Sequence, residues 1–316
     1  MSLRGNFDLA LASDWEYDGD FFDLIVDEAQ LLGLSTVVIW PADLAETSQA
    51  FRDGTLNFRV LFDRAASAAP EFAELQSLAR GRERLILDPM ENLRWASDKA
   101  TMHLEFLSAG LLAPYTVILS PFRTSPDPGI SADDLAPLGR PFYVKPANTT
   151  GGSLGVVHDA ETLADVELAR RTYPDDKYLL QERVVPRERD GRRFWFRGFW
   201  SYGFVQAAWW DDRTHLYTEL TPADVAADGL EPLFDIVRRI AAICRLGFFS
   251  TEVALDGRGR FVVVDYVNEA CDMRLQSCHA DGVPDTIVRT VARRLAGHVR
   301  ERLARSGGFS TEGGEK

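Results

Sequence analysis

Residues 248–274, FFSTEVALDGRGRFVVVDYVNEACDMR, constrain this chain more than any other stretch. Two apolar runs rich in β-branched residues flank Asp256-Gly257-Arg258-Gly259, a turn signal, so the segment reads as an antiparallel hairpin. A turn centred between Arg258 and Gly259 sets Glu252 directly opposite Asp265. Like charges in that position repel. Asp265 also closes the run Phe261-Val262-Val263-Val264, the composition of a buried strand, where a charge is costly unless paired or metal-bound. A hard cation resolves both problems, and an oxygen set suits magnesium. Asn268 supplies another oxygen nearby. The competing reading is a register shifted by one or two residues, with Glu252 in solvent and Asp265 on an arginine.

The N-terminal part alternates strand and helix signals. Strands fit 7–12, 36–40, 58–62 and 85–87, and Asp20 to Leu32 reads as an amphipathic helix closed by Gly33. Pro70 opens another helix. Such alternation predicts a parallel sheet with helices on both faces. Asp88-Pro89-Met90-Glu91 reads as a helix start, with Asp88 capping and Pro89 at the first helical position. Helical signals then run to Gly110.

From 115–119 onward the chain is strand-rich. Strands fit 142–145, 178–182, 194–200, 203–210, 248–255 and 260–267, and helices fit 160–171, 230–246 and about 284–304. The glycine-rich, polar tail from Ser306 reads as disordered.

Lys145 ends an apolar strand and precedes Thr149-Thr150-Gly151-Gly152-Ser153-Leu154-Gly155. Small residues with free backbone N–H groups wrap oxyanions, and a lysine adds a point charge. The order is neither that of a P-loop nor that of a dinucleotide fingerprint. A plain hairpin turn is the alternative.

The net charge of −13 argues against broad binding to nucleic acid, although a local pocket can still be positive. No long apolar run or leader-like segment points to a membrane. Three cysteines, Cys244, Cys271 and Cys278, fit a reducing cytoplasm. The spacing of Cys271, Cys278 and His279 matches no usual zinc pattern.

Taken in order, these segments resemble the ATP-grasp superfamily, which includes D-alanine–D-alanine ligase, glutathione synthetase and the ligases that add glutamate to a ribosomal protein. Asp98-Lys99 with the following helix, Gly110 and Pro114 is similar to the family's entry into its central domain. Lys145 and its loop resemble the second phosphate lysine and lid. Tyr178 to Val184 resembles the hinge strand beside adenine, and Arg193 in GRRFWFRGF the arginine-bearing strand after it. Glu252, Asp265 and Asn268 resemble the metal ligands.

The resemblance implies an α/β fold in which a Rossmann-like domain (1–97) precedes a two-lobed ATP-grasp domain (98–180 and 181–305), with a tail from 306 to 316. It implies ATP held by Lys99, Lys145 and the loop Thr150, Gly151, Gly152 and Ser153. Gln181, Glu182 and Val184 would line adenine, and Glu188 the ribose. Magnesium, or manganese in its place, would sit on Glu252, Asp265 and Asn268. The family usually separates its last two ligands by two residues, whereas Asp265 and Asn268 are three apart. A β-bulge would re-aim Asn268; without one, Glu269 or Asp272 takes its place.

The implied activity is ligation of a small-molecule or peptide carboxylate to an amine or thiol through an acyl phosphate. A kinase acting on a hydroxyl and a non-catalytic nucleotide-binding protein are the alternatives. No nucleic acid or membrane partner is implied, and a homodimer stays open. Arg193 and Arg274 are the arginines expected at the reacting groups, Arg274 holding a carboxylate. Arg64 is either a second carboxylate holder or a member of an ion pair. His103 reads as packed or solvated, and Trp195, Trp200, Trp209 and Trp210 as core residues of which one stacks on a ligand.

Overall fold

The computed structural model describes residues 4–149 and 154–307. Strands β1 (Gly5–Ala12), β2 (Thr36–Ile39), β3 (Leu56–Asp63) and β4 (Leu85–Leu87) form a parallel sheet of order β2-β1-β3-β4. Helices α1 (Gly19–Leu31), α2 (Leu44–Asp53) and α3 (Ala73–Gly81) connect them. Alternate residues serve opposite faces, as a strand's period of two requires. Leu9, Leu11, Val60 and Phe62 pack with Phe21, Phe22 and Ile25 of α1, whereas Ala10, Ala12 and Leu61 pack with Phe51 of α2 and Leu75 of α3. Gly33 adopts a φ of 74° just past α1, and the N–H of Leu34 returns to Ala29 O, the glycine closure expected there. α2 had no counterpart in the sequence reading. It buries Thr47 and Ser48 beside Phe51, so its inner face is half polar.

Asp88 does not cap the next helix. α4 (Met90–Ser97) begins behind Pro89, and Asp88, at φ 55°, accepts the N–H of Gly247 at 2.6 Å. The carboxyl therefore ties the end of β4 to the chain just before residue 248. Burial raises its pKa from 3.8 to about 6.

α5 (Lys99–Ser108) starts at Asp98, whose carboxylate caps the N–H groups of Ala100 and Thr101. β5 (Thr116–Leu119), β6 (Phe142–Pro146), β7 (Val157–Ala160) and β8 (Tyr178–Gln181) form an antiparallel sheet of order β5-β8-β6-β7, with α6 (Leu163–Arg170) packed on β6 and β7.

The remaining strands are β9 (Glu188–Arg189), β10 (Arg192–Arg193), β11 (Trp195–Ser201), β12 (Phe204–Trp210), β13 (Tyr217–Glu219), β14 (Phe248–Leu255) and β15 (Phe261–Asn268). β9 and β10 pair alone. The others form a five-stranded antiparallel sheet of order β13-β12-β11-β14-β15. α7 (Pro222–Asp228) leads to α8 (Glu231–Cys244), whose apolar face (Leu233, Val237, Ile240) covers this sheet together with Met102 and Phe106 of α5. Gly198 on β11 admits the helix: a Cβ there would lie 2.5 Å from a Val237 methyl. The last helix, α9 (Asp285–Gly307), returns to the parallel sheet and packs beside α1 through Ile287, Val288, Val291 and Leu295.

The raised Asp88 pKa has a defined sign. A folded-state pKa above the unfolded value contributes stability below about pH 4 that is lost as pH rises through about 6. Relative to Asp88→Asn, wild type should lose roughly 3 kcal/mol of stability between about pH 4 and pH 8. Urea titrations of both proteins across that range check this, and parallel pH profiles would contradict it.

Candidate active site

The two antiparallel sheets face each other across a cavity of about 330 Å³. β6 contributes Tyr143 and Lys145, β7 His158, β11 Trp195 and Arg197, and β12 Trp210. β14 and β15 contribute Glu252, Asp265 and Asn268, and α5 contributes Lys99.

The β14–β15 ladder explains how the acidic groups converge. Near the turn Val253 faces Val263, Ala254 faces Val262 and Leu255 faces Phe261, so the turn centres on Arg258 rather than beyond it. One register shift then sets Glu252 opposite Asp265, and a second sets Ser250 opposite Asn268. Each shift places one extra residue on β15. The second is the bulge that a spacing of three requires: it returns Asn268 to the face of Asp265, and both line the cavity.

Arg197 neutralises the pair from β11. It lies in register with Glu252, forms a very short ion pair with Oε1, and donates from Nε to Ser250 Oγ at 3.1 Å. Trp195 Nε1 donates to Glu252 Oε2 at 3.0 Å. Burial pushes the Glu252 carboxyl up, Arg197 working against it. Burial acts on Asp265 in the same sense, but the fields of Lys99, Lys145 and Arg197 outweigh it and hold this carboxyl below its usual range. Lys145 is pushed down by burial, which the Asp265 charge opposes.

The cavity's charges balance. Asp212, on the cavity wall, is neutralised from outside it by Nε and Nη2 of Arg193, at 2.6 and 2.7 Å. Lys99, Lys145 and Arg197 then face Glu252, Asp265 and Glu269. Two carboxylates and an amide make an all-oxygen donor set, which fits magnesium or manganese. Among the described residues no three His, Cys, Asp or Glu side chains form a self-sufficient metal cluster. A cation on this pair therefore needs oxygens from elsewhere, as magnesium on nucleotide phosphates does.

The base of the glycine loop is fixed by Asp176. Its carboxylate accepts the N–H groups of Asn148 and Thr149, each at 2.9 Å, and the Asn148 amide at 2.7 Å. Gly155 closes the far side at φ 69°, where a Cβ would strike the Tyr173 ring at 2.5 Å. Thr150, Gly151, Gly152 and Ser153 lie outside the described residues.

On the hinge, Gln181 is buried and accepts Lys145 Nζ at 2.9 Å. Glu182 turns its carboxylate to the Tyr115 N–H at 2.8 Å, away from the cavity. Val184 packs against the apolar cluster of Trp195, Ala254, Val262 and Val264, of which Trp195 and Val264 line the cavity.

Four expected residues stand elsewhere. Glu188 is exposed and pairs in register with Arg193. Arg193 reaches the cavity wall only through Asp212. Arg274 is held by Asp272 at 2.7 Å and Asp281 at 2.8 Å, and Arg64 by Asp18 at 2.8 Å. Neither of these two lines the cavity. The arginine that does was missed, although Arg197 is the only charged residue in FWFRGFWSY (194–202). His103 is buried rather than solvated, 2.6 Å from the Tyr266 hydroxyl.

No protein-family model and no curated protein matches this chain. Solved structures do match. A RimK-domain ATP-grasp protein from Sphaerobacter thermophilus superimposes with a TM-score of 0.62 at 22% identity, over 92% of this chain and 98% of its own. The D-cycloserine synthetase DcsG gives 0.62 at 18%, over 93% and 100%. A D-alanine–D-alanine ligase from Bacillus anthracis, solved with ATP, gives 0.65 at 12%, over 96% and 100%. The chain has the ATP-grasp fold.

Arg197→Met should destabilise the protein by about 3–5 kcal/mol, because it leaves Glu252 and Asp265 opposed without their arginine. Adding Glu252→Gln should restore much of the loss. Denaturant melts of the single and double variants test this, and additive losses would contradict it.

Proposed function

We propose that this chain is an ATP-dependent ligase that joins a carboxylate to an amine or thiol through an acyl phosphate. The observation that carries the reading is the facing of three cations and a buried carboxylate pair in one cavity. Such a set is suited to a polyphosphate with its counter-ion, and a fold built for packing alone gains nothing from it.

In this reading the slot formed by Val184, Trp195 and Val264 takes the adenine ring, with backbone groups of Gln181 and Glu182 at its edge. Lys99 and Lys145 hold the phosphates, and Thr150 to Ser153 cover them. Glu252, Asp265 and Asn268 would hold magnesium or manganese, which when bound neutralises phosphate oxygens. Glu188 and Arg274 receive no role, and Arg197 replaces Arg193 as the arginine beside the reacting groups.

A substrate carboxylate oxygen attacks the γ-phosphorus and ADP leaves. An amine or thiol then attacks the acyl carbon, losing its proton as inorganic phosphate departs. The lysines and Arg197 lower the barrier by facing charge that builds on the transferred group, so the contribution is positioning and electrostatics. The loop keeps water from the acyl phosphate. No helix among the described residues is long and apolar enough to cross a membrane. Two of the three cysteines are buried and all three are free, which suits a reducing cytoplasm.

Hydroxylamine distinguishes this reading from a hydroxyl kinase, because it traps acyl phosphates as hydroxamates. With ATP, magnesium and a panel of amino acids and peptides, some acid should yield hydroxamate together with ADP. Lys145→Ala should lower that rate about a hundredfold or more. ADP formation tied to phosphorylation of a hydroxyl, with no hydroxamate from any acid, would overturn the proposal.

A further inference from the structure

Five elements are joined behind the cavity by one branched line of polar side chains. Lys145 Nζ on β6 lies 2.9 Å from Gln181 Oε1 on β8. Gln181 Nε2 lies 3.0 Å from the Tyr266 hydroxyl on β15 and 3.2 Å from Thr116 Oγ1 on β5. The Tyr266 hydroxyl lies 2.6 Å from His103 Nδ1 on α5. His103, Gln181 and Tyr266 are each no more than 3% exposed.

The directions in this line are set from its lysine end. An ammonium group only donates, so Gln181 must present its oxygen to Lys145 and its amide nitrogen to the other side. Thr116 gives its hydroxyl hydrogen to Pro114 O at 2.9 Å and therefore accepts from Gln181. The second hydrogen of the Gln181 amide goes to the Tyr266 oxygen. The one hydrogen of Tyr266 has two acceptors within reach, His103 Nδ1 and Thr116 Oγ1; the 2.6 Å approach of a buried, neutral ring assigns it to Nδ1, with the ring proton on Nε2. Burial pushes the His103 pKa down, in the sense that keeps the ring neutral.

We propose that His103, neutral and protonated on Nε2, is a positioning residue that holds the Lys145 ammonium in place through Tyr266 and Gln181. This rests on the reading of the cavity as a nucleotide site. The reason is the freedom of a lysine stem, which has many rotamers to lose and needs a fixed partner to point one way. Gln181 is that partner, and it keeps its orientation only while Tyr266 accepts from its amide. Tyr266 in turn accepts from that amide while its own hydrogen is turned to His103. The same histidine lies one helical turn after Lys99, and Tyr266 follows Asp265 directly. The line thus couples both lysines and one carboxylate to a single buried acceptor.

Calorimetric titration of magnesium with a non-hydrolysable ATP analogue tests this without knowledge of the acid. His103→Leu and Tyr266→Phe should each weaken binding about tenfold, the effect of one lost buried hydrogen bond. The double variant should bind no more weakly than Tyr266→Phe alone. His103→Asn, whose carbonyl oxygen can occupy the place of Nδ1, should bind within about threefold of wild type. A nitrogen NMR spectrum of the wild-type ring should show Nδ1 unprotonated, which keeps the test decisive if a variant fails to fold. Wild-type binding with unaffected His103→Leu and Tyr266→Phe overturns the inference alone, as does an Asn variant as weak as the Leu variant or a proton on Nδ1. Wild type that binds no nucleotide overturns the reading of the site, and this inference with it.

Discussion

Two carboxylates opposed across a hydrogen-bonded strand pair repel, and burial makes each more costly still. Glu252 and Asp265 stand in that relation, and much of the surrounding architecture acts to make it tolerable. Arg197 comes from the next strand of the same sheet, in register with Glu252. Lys145 comes from the opposing sheet and Lys99 from the helix beneath it. The compensation is therefore long-range in sequence, and the cavity cannot be built from one lobe alone. Removing any of the three cations leaves acidic charge in excess. Adding a divalent cation lets the lysines turn toward other anions, which is the electrostatic basis for reading the cavity as a phosphate site.

The packing beneath the cavity serves the same end. α8 approaches β11 closely because Gly198 has no side chain, which holds the strand that carries Arg197 against its partners. The hydrogen-bond line from His103 to Lys145 crosses from that sheet to the lid-bearing one. Asp88 joins the parallel sheet to the chain entering β14, and α9 packs back beside α1. Position at the site is thus set by fixed contacts among three sheets.

Sequence made the hairpin legible because its signals are local: a turn tetrad, two β-branched runs and an acid in each. It did not reveal where the turn centres or that two bulges follow, since those depend on how β15 packs against α4, α5 and α8. The spacing of three, set against the two usual in the family it resembles, left either a bulge at Asn268 or a substitute at Glu269 or Asp272, and the structure has the bulge. Arg193 and Arg197 share an arginine-rich stretch and the same strand parity, so the choice between them rested on which has an acid at home. Arg193 has Asp212; Arg197 has Glu252, across the cavity's buried carboxylate pair. Arg274 was likewise drawn away by Asp272, two residues before it. α2 escaped notice because its buried face carries Thr47 and Ser48, which blurs the apolar period. Asp88 resembled a cap in sequence, but Gly247, distant in the chain, takes its carboxylate.

The central claim is that Glu252 and Asp265 face each other in order to share a divalent cation with a nucleotide. Manganese and a non-hydrolysable ATP analogue bound in crystals of the intact chain test it most directly, through the anomalous signal of the metal. The account predicts a peak between the two carboxylates, within bonding distance of both and of Asn268, with phosphate oxygens completing the shell. A nucleotide bound with its metal elsewhere, and Glu252 still closed on Arg197 alone, would contradict it.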